Sequence, residues 1–207
     1  MIGVALQEEP SLGVHHLTHE ITPYNTFEAS YRLFQTVEYW PKGTTFVSVV
    51  DPGVGSSRKS VVALTKTGQY IVTPDNGTLS YIKKVVGIVA VREISEVENR
   101  RSNTELSHTF HGRDVYAYTG AKLASGHISF EEVGPELPVD KILELPVVET
   151  IIEDNLVRGA IDILDVRFGS LWTSITRDDF YALEPNFGDR FEVTIFNNDM
   201  LLSLIHI

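Results

Sequence analysis

Between residues 45 and 94 the chain carries four short, mostly apolar runs rich in β-branched residues, at 45–50, 60–64, 70–73 and 89–94. Runs of this length and composition suit strands buried on both faces. Helical patterns lie beside them. Asn25 or Thr26 is placed to cap a helix through Trp40, with Phe27, Tyr31, Phe34 and Val37 on one face and Pro41 ending it. A second helical pattern runs from Asp114 to Leu123 and stops near Gly126. This alternation predicts a layered α/β domain, taken here as residues 1–145.

The pattern changes near residue 145. Segments 157–165 and 191–197 alternate as strands do, with Gly159, Gly169 and Gly188 at bends, and Pro138 and Pro146 bracket an expected linker. The expectation is a second, all-β domain over 150–207. So short a domain buries little apolar surface alone, and the closing run Leu201-Leu-Ser-Leu-Ile-His-Ile207 reads as an unpaired apolar edge. The domain is therefore expected to be incomplete.

Composition narrows the function classes. Of 207 residues, 43% are hydrophobic and 22% charged, which fits a folded globular chain. Lys and Arg number 17 against 28 Asp and Glu, a net charge of −11 that disfavours gripping nucleic acid or an anionic membrane. No apolar run approaches the ~20 residues that span a bilayer, and the first ten residues lack the positive flank of a secretory signal. The absence of cysteine removes disulfides, thiolate nucleophiles and cysteine metal sites. A cytoplasmic enzyme or binding domain is expected.

Several segments could carry chemistry. Asp51-Pro-Gly-Val-Gly-Ser-Ser-Arg58 directly follows a buried strand, and ligands of open α/β sheets bind where strands end. Its two readings are a cleft with Asp51 and Arg58 as paired polar groups, or a glycine turn with a surface ion pair. A phosphate-binding loop is rejected, because Arg58 stands where that loop needs glycine before its lysine. Pro74-Asp-Asn-Gly77 sits at the end of the next strand and reads alone as a turn. Ser107-His-Thr-Phe-His-Gly-Arg-Asp114 gathers two histidines, an arginine and an aspartate before a helix. A histidine at a helix N-terminus tends to stay neutral, able to accept a proton or orient water; the alternative is a helix cap with solvated histidines. His15 and His19 would face the same way on a strand, but too few carboxylates adjoin them, so no metal site is expected. In Asp165-Val-Arg-Phe-Gly-Ser-Leu-Trp172, Asp165 could hold an ammonium and Trp172 could stack on a flat or cationic ligand; otherwise this is a β-turn with a core tryptophan.

Together these segments resemble the S-adenosylmethionine hydroxide adenosyltransferase family, the SAM hydrolases related to SAM-dependent halogenases. The resemblance runs from Thr18-His-Glu-Ile-Thr-Pro23 through Trp40-Pro-Lys-Gly-Thr44, Asp51-Pro-Gly-Val-Gly55, Pro74-Asp-Asn-Gly77 and Thr109-Phe-His-Gly-Arg-Asp114 to Asp165-Val-Arg-Phe-Gly169. Each motif alone is weak; the ordered set is specific. The resemblance implies an N-terminal α/β domain followed by a small β-barrel, and a homotrimer with the substrate between subunits. It implies that Asp51, Arg58 and His111 are catalytic, positioning water for attack on the ribose C5′ of S-adenosylmethionine to give adenosine and L-methionine, with no cofactor. By the same resemblance, Tyr24, Asn76, Phe110, Asp165, Ser170 and Trp172 are candidate substrate contacts.

Halogenases of this family lack the aspartate of the 51–58 turn and its arginine–histidine pairing, whereas all three residues stand here. Halide transfer is the rival reading, and a non-catalytic SAM- or adenosine-binding module the second. Family chains open with a Thr-Asp-Phe-Gly-type strand end and carry asparagine after Phe-Gly, where this chain has Ser170. The family's first strand and last barrel strands are expected to be missing, leaving a fragment lacking both termini.

Overall fold

A computed structural model describes residues 1–197 and 200–206. The chain divides into two compact units, Met1–Val147 and Val148–Ile207.

The first unit is built on a five-stranded mixed sheet. Its strands are β1 (Thr45–Val47), β2 (Ser60–Thr65), β3 (Tyr70–Pro74), β4 (Ile88–Glu93) and β5 (Glu136–Leu137), in the order β1-β3-β2-β4-β5. Only β1 and β3 run parallel; the other neighbours are antiparallel. Central β2 is buried on both faces, as its composition predicted. Its alternate residues enter different cores: Val61 and Ala63 join Leu33, Val37, Ile71 and Ile82, while Val62 joins Val72, Val115, Tyr116 and Leu123. Each fully buried aliphatic side chain contributes roughly 1.5–3 kcal/mol of transfer free energy. The layered α/β architecture of this unit follows from those two cores.

Helices cover both faces. Helix α1 (Ile2–Glu8) packs against α3 (Ala117–Ala124). Helix α2 (Thr26–Val37) is capped by Asn25, whose side chain accepts from the Glu28 amide at 2.9 Å. It ends three residues before Trp40. The Tyr39 and Trp40 amides turn back to the carbonyls of Thr36 and Val37, because the residue preceding Pro41 is disfavoured in the helical region. The expected helix from Asp114 begins instead as a π-helical turn at Gly112–Tyr116 that runs into α3. Gly120 lets α3 approach β1: a Cβ there would lie 2.7 Å from Val47 Cγ2.

Two further expectations fail in this unit. Residues 9–25 contain no strand, so His15 and His19 share no strand face. Instead His15 lies beside Trp40, and the His16 and His19 rings bond each other at 2.5 Å. The segment from Pro138 to Pro146 is not a free linker up to Leu145. Ile142 is buried in the core, the Leu143 amide donates to Asp75, and the Leu145 amide donates to Ser80.

The second unit contains three two-stranded antiparallel sheets. They are β6 (Ile151–Glu153) with β7 (Leu156–Arg158), β8 (Ile161–Asp165) with β9 (Ser170–Thr173), and β10 (Glu192–Asn197) with β11 (Met200–His206). A short helix, α4 (Arg177–Tyr181), carries a capping box from Thr176 and Asp179. The closing apolar run is thus not wholly unpaired, since β11 bonds to β10; Ile207, its last residue, lies outside the described residues. Among the described residues Ile163 is the one fully buried hydrophobic side chain of the unit, in keeping with so short a chain segment. No described helix is long and apolar enough to cross a membrane.

Candidate active site

Asp51 and Arg58 are joined by a loop that folds back on itself. The Val54 amide donates to the Asp51 carbonyl, and the Ser56 amide and hydroxyl both donate to the Gly53 carbonyl. These tight turns return Arg58 onto Asp51 just before β2 begins. Gly55 adopts φ +79°, and a Cβ there would stand 2.9 Å from the His108 carbonyl oxygen. Only glycine therefore lets the loop lie this close to the segment carrying His111.

The two side chains form a forked pair. Arg58 Nε donates to Asp51 Oδ1 at 2.9 Å, and Arg58 Nη2 donates to Asp51 Oδ2. Both are nearly buried, with side-chain exposures of 10% for Arg58 and 5% for Asp51. The same Nη2 lies 3.2 Å from His111 Nδ1, and Nη1 donates to Ser60 Oγ at 2.9 Å. Ser60 in turn shares a hydrogen bond with the Tyr116 hydroxyl at 3.1 Å, and the guanidinium stands over the Tyr116 ring. Burial pushes the Tyr116 phenol upward, so it remains protonated. Asp51, Arg58, Ser60, Tyr116 and His111 thus form one connected polar chain, drawn from a loop, a strand and a π-helical turn. Such turns recur at functional sites.

His111 is 6% exposed and opens the π-helical turn. Its imidazole is held below the ordinary histidine value, first by burial and further by the Arg58 and Arg100 cations, against the opposing pull of Glu96 and Asp51. Of the two readings of this segment, the burial of His111 favours the neutral imidazole over a solvated one, and burial outweighs the helix-end position as its cause. Its Nε2 lies 3.1 Å from Arg100 Nη2. Sequence reasoning missed Arg100, and also Glu96, Ser60 and Tyr116. Of these, only the i,i+4 spacing of Glu96 and Arg100 left any trace in the sequence, and that spacing is equally a solvated pair. Beside the trio a cleft of about 510 Å³ is lined by residues including Gly55, Glu96, Arg100, His108 and His111.

The other candidates are distributed differently. Phe110 adjoins His111, is half exposed, and lies under the Arg113 guanidinium. Asn76 ties its turn to the end of the strand before the 51–58 loop: its amide donates to the Val50 carbonyl at 2.8 Å and its oxygen accepts from Thr78. Tyr24 is 78% exposed with a left-handed backbone. None of these three is hydrogen-bonded to the trio among the described residues. Asp165, Ser170 and Trp172 share the β8–β9 hairpin of the second unit, with Asp165 opposite Ser170 and Gly169 at φ +62° in the turn. Asp165 is buried; Trp172 is partly exposed. No three His, Asp or Glu side chains gather as metal ligands among the described residues.

Residues 1–134 match the family described as SAM hydroxide adenosyltransferase N-terminal domain. The (R)-S-adenosyl-L-methionine hydrolase of Methanocaldococcus jannaschii is 37% identical over 163 residues, which is 79% of this chain and 54% of that protein. The chain thus spans little more than half the length of that relative. The Thermus thermophilus protein of the same name is 34% identical, over 84% of this chain and 68% of that one. A crystal structure of an uncharacterized conserved protein from Thermotoga maritima superposes with a TM-score of 0.89 at 34% identity, covering 99% of this chain and 74% of that one.

Proposed function

The chain belongs to the SAM hydroxide adenosyltransferase family, and on that premise we propose that it hydrolyses S-adenosyl-L-methionine to adenosine and L-methionine. The observation that carries this reading is the single guanidinium of Arg58 bridging a buried aspartate and a histidine that lines a cleft.

The chemistry asks little else of the protein. A sulfonium is already a good leaving group, so no acid is needed on the leaving side. A water or hydroxide oxygen bonds to C5′, the C5′–S bond breaks with its electron pair passing to sulfur, and methionine departs as a neutral thioether. The water's proton leaves by way of Asp51 or His111 to solvent. Arg58 supplies a fixed cation beside the nucleophile, favouring its hydroxide character, and the near-buried setting strips it of bulk water. No cofactor enters this scheme.

Phe110 and Asn76 are proposed to bound the nucleoside end, with Tyr24 as an outlying aromatic contact. Asp165, Ser170 and Trp172 are proposed to meet the methionine end, where the Asp165 carboxylate suits an ammonium. In this reading the protein is a cytoplasmic homotrimer with its site at a subunit interface, and the hairpins of the second unit belong to a small β-barrel.

Incubation with S-adenosylmethionine followed by chromatography tests the proposal. Adenosine and methionine in equal amounts, insensitive to chelators, are expected. A halide-dependent 5′-halo-5′-deoxyadenosine would identify a halogenase instead, and tight binding in calorimetry without turnover a non-catalytic module.

A further inference from the structure

The imidazole of His111 stands between two guanidinium groups, with Arg58 Nη2 3.2 Å from Nδ1 and Arg100 Nη2 3.1 Å from Nε2. A guanidinium only donates; a neutral imidazole has one lone pair in the ring plane and an imidazolium has none. A protonated ring would therefore point both N–H groups at cations. A neutral ring can accept from one arginine, not both.

Arg100 is held firmly in this position. Its Nε and Nη2 donate to Glu96 Oε2 at 3.2 and 2.5 Å, and its Nη1 donates to the carbonyls of Thr104 and Ser107, each at 3.2 Å. The Arg100 side chain is 8% exposed while Glu96 is 37% exposed. The arrangement mirrors the other side of the ring, where Arg58 is held by Asp51.

We propose that Glu96 and Arg100 are a positioning pair for His111: Arg100, held in place by Glu96, competes with Arg58 for the ring's lone pair and so sets which nitrogen carries the proton. The consequence for catalysis rests on the hydrolase reading above, but the arrangement itself can be measured without substrate. The charged and titratable groups around the ring are Asp51 and Arg58 on the loop after β1, Glu96 and Arg100 after β4, Glu105 and His108 along the cleft, and Tyr116 beneath Arg58. Among them Glu96 favours the imidazolium, and both arginines oppose it.

Long-range proton–nitrogen NMR of the full chain, titrated from about pH 4 to 8, reads both protonation and tautomer. His111 is identified by the signal lost in His111→Gln. Glu96→Gln should lower the His111 midpoint and Arg100→Gln should raise it, each by roughly one pH unit. Arg100→Lys, which keeps the charge, should stay near the unsubstituted protein. Arg100→Gln should also move the proton toward Nε2, since Arg58 then has no rival for the lone pair. Loss of folding cannot produce shifts of opposite sign. If Arg100→Gln fails to fold, Glu96→Gln decides alone, because Glu96 is partly exposed and its charge is the variable removed. Midpoints that do not move, or that move the same way in both variants, overturn the proposal whether or not the protein forms adenosine.

Discussion

A guanidinium offers five donors in a rigid plane, and Arg58 gives three of them to Asp51 and Ser60 while its Nη2 stands 3.2 Å from the His111 ring. A lysine has the charge but not the fork. Arg58→Lys is therefore expected to lower kcat about 100-fold with KM little changed, as for loss of a preorganised donor; steady-state kinetics check it, and a change confined to KM would contradict the assigned role. His111 carries a stability signature too. Its folded value lies below the unfolded value of about 6.5, so the unfolded chain binds more protons as pH falls. The stabilisation is fully present above about pH 6.5 and is lost as acidity increases through the folded value. Thermal midpoints measured between about pH 5 and 8 should fall on the acid side, and fall less steeply in His111→Gln.

At the scale of elements, the site depends on how closely two irregular segments approach. The 51–58 loop reaches the 107–111 segment only because Gly55 has no side chain against the His108 carbonyl. Gly55→Ala should destabilise by about 1–3 kcal/mol and reduce turnover beyond what that loss explains, since the displaced loop carries both Asp51 and Arg58. Denaturation and kinetics on the same variant separate the two effects; unchanged turnover would show that the approach is dispensable. These segments also show where sequence reading succeeds. Asp51, Arg58 and His111 were legible as a trio only through the resemblance of their motifs to one family; read alone, the 51–58 turn is as well explained by a surface ion pair and His111 by a solvated helix end. Arg100 was not, because nothing local announces that a residue seven places after β4 ends turns back onto an imidazole. The π-helical turn at Gly112–Tyr116 escaped for a similar reason, since side-chain periodicity places a helix without resolving i+4 from i+5 bonding.

For the whole molecule, burial patterns gave the α/β character of the first unit, but strand order is a matter of distant pairing. Nothing in the runs at 60–64 and 70–73 announces that β3 pairs parallel with β1 and antiparallel with β2. The second unit was legible as mainly β, but the expectation of an all-β domain missed helix α4, whose capping box of Thr176 and Asp179 the strand pattern hid; its thin core leaves large apolar side chains such as Phe168 and Phe187 exposed in the chain taken alone. Apolar surface of this kind favours association. The proposed homotrimer predicts a light-scattering mass of three chains, and a monomer at micromolar concentration would contradict it. Chemistry at the assembled site leaves a mark that none of these measurements supplies: the origin of the 5′-oxygen. Turnover of S-adenosylmethionine in ¹⁸O-labelled water should place the heavy oxygen on C5′ of adenosine and none in methionine, with the rate collapsing in His111→Ala. Unlabelled adenosine, or none above the uncatalysed background, would contradict the claim that Asp51, Arg58 and His111 direct water onto that carbon.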